Sequence, residues 1–295
     1  MLERGWLSSN NILIQGLHTT ALIDSGYCTH AEQTLALLQS ALAGRPLDLL
    51  INTHLHSDHC GGNAALQAAY PLLHTQIPPG HADDVRVWDA HALGYTPTGQ
   101  SCPQFRPDAT LQPGADMVLG DMIWQVHAAP GHDPHSVILF EPTSRTLVSA
   151  DALWEQGFGV VFPELDGREA FQEVGDTLDL IESLRPRVVI PGHGAPFTNV
   201  ALSLAVARKR LQAFIDQPDK HRRYAVKVLL KFKLLEAQSL ELDALQAWAL
   251  DTDYFTSLLD SSSANPGAQA AVYAVVQDLV RSGAASIVGS RVFNA

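Results

Sequence analysis

The chain is 295 residues long, with 46% hydrophobic and 17% charged residues. This composition is typical of a globular protein and excludes a disordered chain, a coiled coil or a collagen-like repeat. Residues 1–199 carry 22 acidic and 8 basic side chains, whereas residues 200–295 carry 9 and 11. Because polyanions repel a segment whose net charge is −14, the first part is a poor general partner for nucleic acids and anionic membranes.

The first predicted elements are short apolar strands that alternate with helices. Strands are expected at 11–15, 20–23 and 47–51. A helix with a capping box from Thr29 is expected to end at Gly44, and a short helix at 63–70 to end before Pro71. Residues 93–115 contain four prolines and three glycines and are expected to form a long ordered loop.

Two hairpins, a helix and a strand are expected next, at 117–126, 136–149, 168–184 and 187–190. The pattern then becomes mostly helical, with helices at roughly 199–216, 221–236, 240–250 and 266–282 and a closing hairpin at 287–293. The last helix is expected to begin with Asn265 as N-cap and Pro266 at its first position, and to end at Gly283. We therefore predict two domains, 1–198 and 199–295.

Polar side chains follow several of the predicted strands at the point where each strand ends. They are Asp24, His54, His132, Asp151 and His193. Since strand ends that meet at one edge of a sheet can present their side chains together, these five residues predict a shared site. This expectation depends only on position in the chain.

The segment from His54 to His59 holds three imidazoles and a carboxylate within six residues, at His54, His56, Asp58 and His59. The glycines that follow Cys60 favour a loop that can fold these side chains around ions. Neutral imidazoles and carboxylates suit zinc, iron or manganese. The position between an apolar strand and a helix, with further ligand-type residues downstream, disfavours a chance histidine-rich surface loop. With the downstream residues there are seven candidates, which is too many for one zinc and fits two ions bridged by a carboxylate.

Five motifs together resemble the signature of the metallo-β-lactamase-fold hydrolases. They are Asp24, the His54-x-His56-x-Asp58-His59 run, Pro-Gly-His132, Asp151 and Pro-Gly-His193-Gly. The resemblance covers roughly residues 10–197 and implies an α/β fold, the αββα four-layer sandwich, with metals at one edge. It implies ligand sets joined by a bridging Asp151, with His54, His56 and His132 for one ion and Asp58, His59 and His193 for the other.

The same resemblance implies how the site works. Asp24 would orient the metal loop through hydrogen bonds. A hydroxide that bridges two divalent ions would attack an acyl bond, with Asp58 orienting the nucleophile and accepting its proton. Zinc is favoured, with iron or manganese as the alternatives. Thioesters are the first substrate class, and esters or lactones the next.

Three other functions stay open at this point. A phosphodiesterase or ribonuclease of the same fold is disfavoured by the −14 charge and by the 42-residue step from Asp151 to His193, which leaves no room for a large inserted domain. A slow-turnover ligand sensor and a mononuclear-iron sulfur dioxygenase are the others. The sequence does not decide the oligomeric state.

The region from residue 199 is similar to the small helical or winged-helix appendage of some family members, including glyoxalase II-like ones. Its arginines are expected either to clamp an anionic substrate at the mouth of the site or to lie on a solvated helix face. These are Arg208, Arg210, Arg222 and Arg223. The aromatic residues after Asp151 are expected either to line a pocket or to pack in the core. These are Trp154, Phe158 and Phe162.

The remaining expectations concern single residues and location. His135 stands where the family motif differs, and we expect either a turn histidine or a pocket residue. Cys60 is expected to be a small packed thiol. Three scattered cysteines, no apolar leader and no long apolar run favour a reduced, cytoplasmic protein without a membrane span. The expected partner is a small-molecule acyl substrate.

Overall fold

The computed structural model of the chain describes residues 1–259 and 267–295. The expected helix start at Asn265 and Pro266 lies outside these residues. None of the described helices is long and apolar enough to cross a membrane.

The first sheet has five strands in sequential order. They are β1 (Ile12–Gln15), β2 (Thr20–Ile23), β3 (Leu49–Ile51), β4 (His74–Ile77) and β5 (Ala109–Thr110). The first pair is antiparallel and the other strands join in parallel. Part of the predicted 93–115 loop thus supplies an edge strand, because Gln76 and Ile77 of β4 pair with it.

Five helices accompany this sheet: α1 (Ala31–Leu42), α2 (Ser57–Cys60), α3 (Asn63–Ala69), α4 (Ala82–Val87) and α5 (Tyr95–Thr98). Leu38 of α1 and Leu66 of α3 pack on the outer face of the sheet against Leu22 and Leu50. The capping-box prediction at Thr29 was wrong. A 3-10 turn at Cys28–His30 precedes α1, so the N-cap is His30, which makes no side-chain capping bond.

The second sheet has the order β10-β9-β8-β7-β6. Its strands are β6 (Asp116–Leu119), β7 (Met122–Ala128), β8 (Val137–Glu141), β9 (Thr146–Ala150) and β10 (Val188–Pro191). The first four form an antiparallel meander, and β10 pairs in parallel with β9. Helices α6 (Phe162–Leu165), α7 (Phe171–Leu184) and α8 (Val200–Asp216) follow or flank it.

Two apolar layers show how the sandwich is assembled. Ile23 of the first sheet packs with Val126 and Leu139 of the second in a core between the sheets. On the far side of the second sheet, Leu178 of α7 and Leu204 of α8 pack in another core. The order helix, sheet, sheet, helix confirms the predicted αββα sandwich.

The rest of the chain forms a smaller unit around a further core, to which Val160 of the first part also contributes. Its elements are α9 (Pro218–Ala237), β11 (Ser239–Glu241), α10 (Leu242–Leu250), α11 (Asp253–Leu258), α12 (Ala268–Arg281), β12 (Ala285–Val288) and β13 (Arg291–Asn294). Residues such as Leu230, Phe255 and Val276 fill this core, beside a sheet of order β11-β13-β12. The succession of helices closed by a hairpin matches the element order of a winged helix. Helix α8 lies beyond the predicted boundary at 198 but packs on α7 in the sandwich.

Candidate metal centre

The strand ends of both sheets bring the candidate ligands to one edge of the sandwich. Asp24 follows β2, His54 lies three residues after β3, and His132 follows β7. Asp151 directly follows β9, and His193 lies two residues after β10. The step from β3 into the one-turn helix α2 presents Asp58 and His59 at the same edge.

The first cluster consists of His54, His56 and His132, whose ligand atoms all lie within 4.8 Å of one another. His54 Nε2 is 3.1 Å from His56 Nδ1. Burial and the neighbouring His59 lower the pKa of His54 well below its usual value. Burial also lowers the pKa of His56 to about 4. Both rings are therefore neutral near pH 7, as metal ligation requires.

The second cluster consists of Asp58, His59, Asp151 and His193, again within 4.8 Å. His193 Nε2 lies 3.1 Å from Asp58 Oδ2. Burial alone would raise the pKa of Asp58, but His59 and the hydrogen bond from His193 outweigh it and lower the pKa. Burial is likewise outweighed at Asp151, where His193 and His59 hold the pKa well below its usual range. Both carboxylates are thus ionised.

Asp151 lies between the two clusters. Its Oδ2 is 3.5 Å from His132 Nε2 of the first cluster and 3.8 Å from His193 Nε2 of the second. Its Oδ1 is 3.5 Å from His59 Nε2. A carboxylate in this position can be shared by two ions.

Two buried nitrogens test whether the residues fit a metal. His59 Nε2 and His132 Nε2 are buried and have no hydrogen-bond partner among the described residues. A buried polar atom without a partner costs about 1–3 kcal/mol. Both atoms point into the clusters, where a cation would satisfy them, so the donor set fits metal ions.

Hydrogen bonds behind the ligands fix their orientation. His59 Nδ1 donates to Asp24 Oδ2 at 2.7 Å, and His132 Nδ1 donates to the Val160 carbonyl at 2.5 Å. Each bond leaves Nε2 directed at the centre. Thr53 holds Asp24 through its backbone N–H (2.9 Å) and its hydroxyl (2.8 Å). Asp24 has a φ of 58°, an unusual conformation for a residue with a side chain.

Two glycines let the backbone approach the ligands closely. A Cβ on Gly192 would lie 2.1 Å from Asp151 Oδ1, and a Cβ on Gly159 would lie 2.4 Å from His132 Nδ1. A side chain at either position would collide with a ligand. This explains the glycine before His193 and adds Gly159 to the residues that shape the site.

A cavity opens above the centre between the sandwich and the C-terminal unit. Trp154 and Phe162 are among its lining residues, together with His56, Asp58 and His193. Phe158 is not among them, so of the two roles expected for it the structure shows packing in the core and not lining of the pocket. Its side chain is 1% exposed and packs in the core against Phe214, with ring centroids 6.2 Å apart.

The predicted arginine clamp is also absent from the cavity lining. Arg208 pairs with Asp179 and Glu182 on the outer surface, at 2.7 Å each. Arg223 pairs with Asp278. Arg210 donates to the Phe158 carbonyl (3.2 Å) and lies over the Tyr224 ring, at 5.5 Å from its centroid. Arg222, like these three, is not a lining residue.

Residues that the sequence did not single out line the cavity as well. Trp6 stacks on the His193 ring, with centroids 5.2 Å apart and planes 9° from parallel. Its edge meets Trp154 at 5.2 Å, and Trp154 Nε1 donates to Asp151 Oδ1 (3.1 Å). The C-terminal unit contributes Val228, Leu229, Phe232 and Tyr254. These contacts are long-range, and no local pattern could have revealed them.

The two residues with open roles are both packed. Cys60 is fully buried and its Sγ lies 3.2 Å from Tyr95 Oη, in a small apolar cluster. The His135 ring lies against Gly80 and meets the edge of His81, with centroids 4.8 Å apart. It is partly buried at the side of the site.

Comparison with known proteins gives the site a family context. Residues 4–193 match the metallo-beta-lactamase superfamily. The hydroxyacylglutathione hydrolase of Anaeromyxobacter dehalogenans (strain 2CP-C) is 30% identical over 194 residues, which is 63% of this chain and 61% of that protein. That of Thermosynechococcus vestitus is 28% identical over 211 residues, which is 70% of this chain and 68% of that protein. The chain thus spans less than two thirds of the length of the first of these relatives.

Solved structures agree at the level of the fold. A metallo-beta-lactamase family protein from Thermus thermophilus superposes with a TM-score of 0.57 at 20% identity, covering 97% of this chain and 94% of that one. A structure of TTHA1623 in a di-iron-bound form gives 0.57 at 27% identity, covering 70% and 97%. The clustered histidines and aspartates, the sandwich and the match over 4–193 lead to one conclusion: the chain belongs to the metallo-β-lactamase superfamily.

Proposed function

We propose that this chain hydrolyses the acyl bond of small-molecule thioesters, with esters or lactones as the next class, using two divalent ions of which zinc is the first choice. The observation that carries the proposal is the position of Asp151 between two ligand clusters. The names of the relatives support the thioester class, since hydroxyacylglutathione hydrolases are acyl-bond enzymes by name. A cytoplasmic location is part of the same proposal.

Each cluster would hold one ion, and Asp151 would be shared. When bound, two divalent ions supply positive charge that polarises the acyl carbonyl and makes water acidic enough to give hydroxide near neutral pH. Water adds to the acyl carbon, the carbon–sulfur bond breaks, and the products are a carboxylic acid and a thiol. Asp58 lines the cavity and is ionised, so it can orient the water and accept its proton.

The main rival is phosphodiester hydrolysis, including that of RNA, which the winged-helix element order favours. Charge argues against it. In a winged helix, α12 would be the helix that enters a groove, but its sequence carries one basic residue, Arg281, which pairs with Asp278. The 1–199 segment adds a net charge of −14. We therefore expect no nucleic-acid or membrane partner.

The test couples metal analysis to a turnover panel on one protein sample. The panel holds a glutathione thioester, an acyl-CoA, an aryl ester, a lactone, a β-lactam and a bis-aryl phosphodiester. We expect two ions per chain and the highest kcat/KM on an acyl substrate. A tenfold advantage for the phosphodiester, or salt-sensitive RNA binding, would establish the rival. One iron per chain, with oxygen-dependent oxidation of a persulfide assayed on the same sample, would establish a dioxygenase, and two ions without turnover of any substrate would favour a sensor.

A further inference from the structure

We propose, on the basis of the acyl-bond hydrolysis above, that the preferred substrate carries an uncharged apolar or aromatic acyl group, held between the Trp6–Trp154 pair and helix α9. A glutathione-like anionic group is then not what this cavity recognises. The inference rests on the composition of the cavity walls and on where the cations of this chain are placed.

The first wall is aromatic and begins at the metal ligands. Trp6 is 55% exposed although it stacks on His193, so a large apolar face is open beside the centre. Trp154 meets Trp6 edge to face and is tied to Asp151 by its indole N–H. Ring faces of this kind bind apolar and planar groups and need no charge on them.

A third aromatic residue, Phe162, connects the centre to the C-terminal unit. The Phe162 ring makes T-shaped contacts with His56 and His132, at centroid distances of 5.0 and 5.8 Å, and a third with Tyr254 at 5.9 Å. Tyr254 donates to Asp166 at 2.5 Å, so its hydroxyl is already bonded. A chain that leaves the metal centre in this direction passes along ring surfaces.

The opposite wall is one face of α9. Three apolar residues share one side of this helix, because the second and third follow the first by one and four positions. They are Val228, Leu229 and Phe232. The Phe232 ring packs edge to face on Tyr27, with centroids 5.1 Å apart. The Tyr27 hydroxyl donates to Glu236 at 2.8 Å, which fastens α9 to the sandwich. These contacts between α9 and Tyr27 therefore fix the position of the wall.

The charges of the lining do not suit an anion. Among the lining residues Arg168 is the one lysine or arginine, and it is exposed. Asp133 and Asp166 also line the cavity, in addition to the ligand carboxylates. Arg208 and Arg223 are engaged by acidic partners away from the cavity. A substrate with two carboxylates, as in glutathione, would meet one cationic and two additional anionic side chains in this lining.

The experiment uses thioesters of one leaving group, N-acetylcysteamine, with acetyl, butyryl, hexanoyl, octanoyl and phenylacetyl groups, together with S-lactoylglutathione. Each methylene that leaves water gains about 0.8 kcal/mol, or about fourfold in kcat/KM. If three of the six methylenes that octanoyl adds to acetyl enter the cavity, we expect octanoyl to exceed acetyl by about 60-fold. S-lactoylglutathione is expected to fall below octanoyl.

Variants connect the preference to the wall. Phe232→Ala is expected to reduce the octanoyl-to-acetyl ratio at least about tenfold, since a truncated ring leaves less apolar surface to cover the chain. Val228→Thr keeps the volume but replaces a methyl group by a hydroxyl, so it tests the polarity of the wall, and the ratio should fall here too. Tyr273→Ala, an exposed aromatic residue of α12, is the matched control and should leave the ratio unchanged.

A binding measurement separates this inference from the proposed function. The S-octyl and S-methyl thioethers of N-acetylcysteamine cannot be hydrolysed, and tryptophan fluorescence follows their binding. Tighter binding of the octyl compound without turnover of any thioester would contradict the proposed hydrolase function but support the proposed apolar specificity of the cavity. Turnover that does not depend on acyl-chain length, or that is highest for S-lactoylglutathione, would refute the proposed apolar specificity of the cavity. The proposed hydrolase function would still stand. Equal binding of both thioethers would also refute the apolar specificity.

Discussion

The two parts of the molecule contribute different chemistry to one cavity. The 1–199 segment supplies every member of both candidate metal clusters, all near strand ends, and has a net charge of −14. The described residues beyond 199 supply none of these ligands and contribute an apolar helix face and a tyrosine. The candidate metal chemistry thus depends on the sheet edges, whereas the proposed selection of substrate depends mainly on the apolar surface of the C-terminal unit.

The largest effect is expected from the residue that joins the clusters. Asp151→Ala removes the only carboxylate that contacts both clusters among the described residues. We expect metal content to fall from two ions towards one per chain and turnover to be abolished. Elemental analysis and kcat/KM on a thioester measure this. Asp179→Ala, on the exposed side of α7, is the control, and retention of two ions in the Asp151 variant would refute the bridging role.

A smaller loss of metal affinity and activity is expected from a change at Asp24, which only orients a candidate ligand. Asp24→Asn keeps the shape of the side chain but replaces one of its two accepting oxygens by an NH2 group, so it cannot accept from both Thr53 N–H and His59 Nδ1. Loss of such a partner costs about 10–100-fold in metal affinity or activity. Metal titration should show weakening at the cluster that contains His59. Asp121→Asn, at the turn between β6 and β7, serves as control, and equal affinities in both variants would count against the orienting role.

The C-terminal unit is expected to affect the first cluster through one buried histidine. His221 of α9 accepts the backbone N–H of Val161 at 3.1 Å, next to the Val160 carbonyl that holds His132. His221→Phe leaves that N–H without a partner and should cost about 1–3 kcal/mol of stability. Denaturant unfolding at pH 7.5 measures this. A stability equal to that of the wild type would mean that the two parts are not coupled here.

The same histidine predicts a pH dependence. Burial lowers the pKa of His221 to about 4, whereas an unfolded histidine has a pKa of about 6.5. Between these values the unfolded chain binds the proton and the folded one does not, so stability is full above pH 6.5 and falls as the pH drops towards 4. The loss should be at most about 3 kcal/mol. The His221→Phe variant should lack this component, which comparison of unfolding at pH 7.5 and 5 tests.

The smallest effect is expected from the surface arginines. Arg208→Ala and Arg223→Ala break exposed ion pairs, which contribute about 0–1 kcal/mol. Because neither residue lines the cavity, KM for an anionic thioester should stay unchanged. A clear rise in KM for the anionic substrate, with an uncharged ester unaffected, would restore the anion clamp that the sequence suggested.

Local patterns predicted most of the elements correctly. The hairpins at 117–126 and 136–149 and the helix that became α8 lie close to their predicted bounds, because turn residues and apolar periodicity act over a few positions. The capping box at Thr29 failed since a preceding 3-10 turn, fixed by its own backbone, moved the helix start. The edge strand β5 was read as loop because its two residues are strand-like only through pairing with β4.

The sequence by itself determined which residues form the two candidate clusters, because imidazoles and carboxylates near strand ends are recognisable from order and spacing. Only the tertiary structure decided which side chains face the substrate. Phe158 and Phe162 are four positions apart, yet one is buried in the core and the other lies against His56. Trp6 lies near the start of the chain, whereas Phe232 lies in α9 of the C-terminal unit. Their place in one cavity depends on packing between distant segments, which no local pattern encodes.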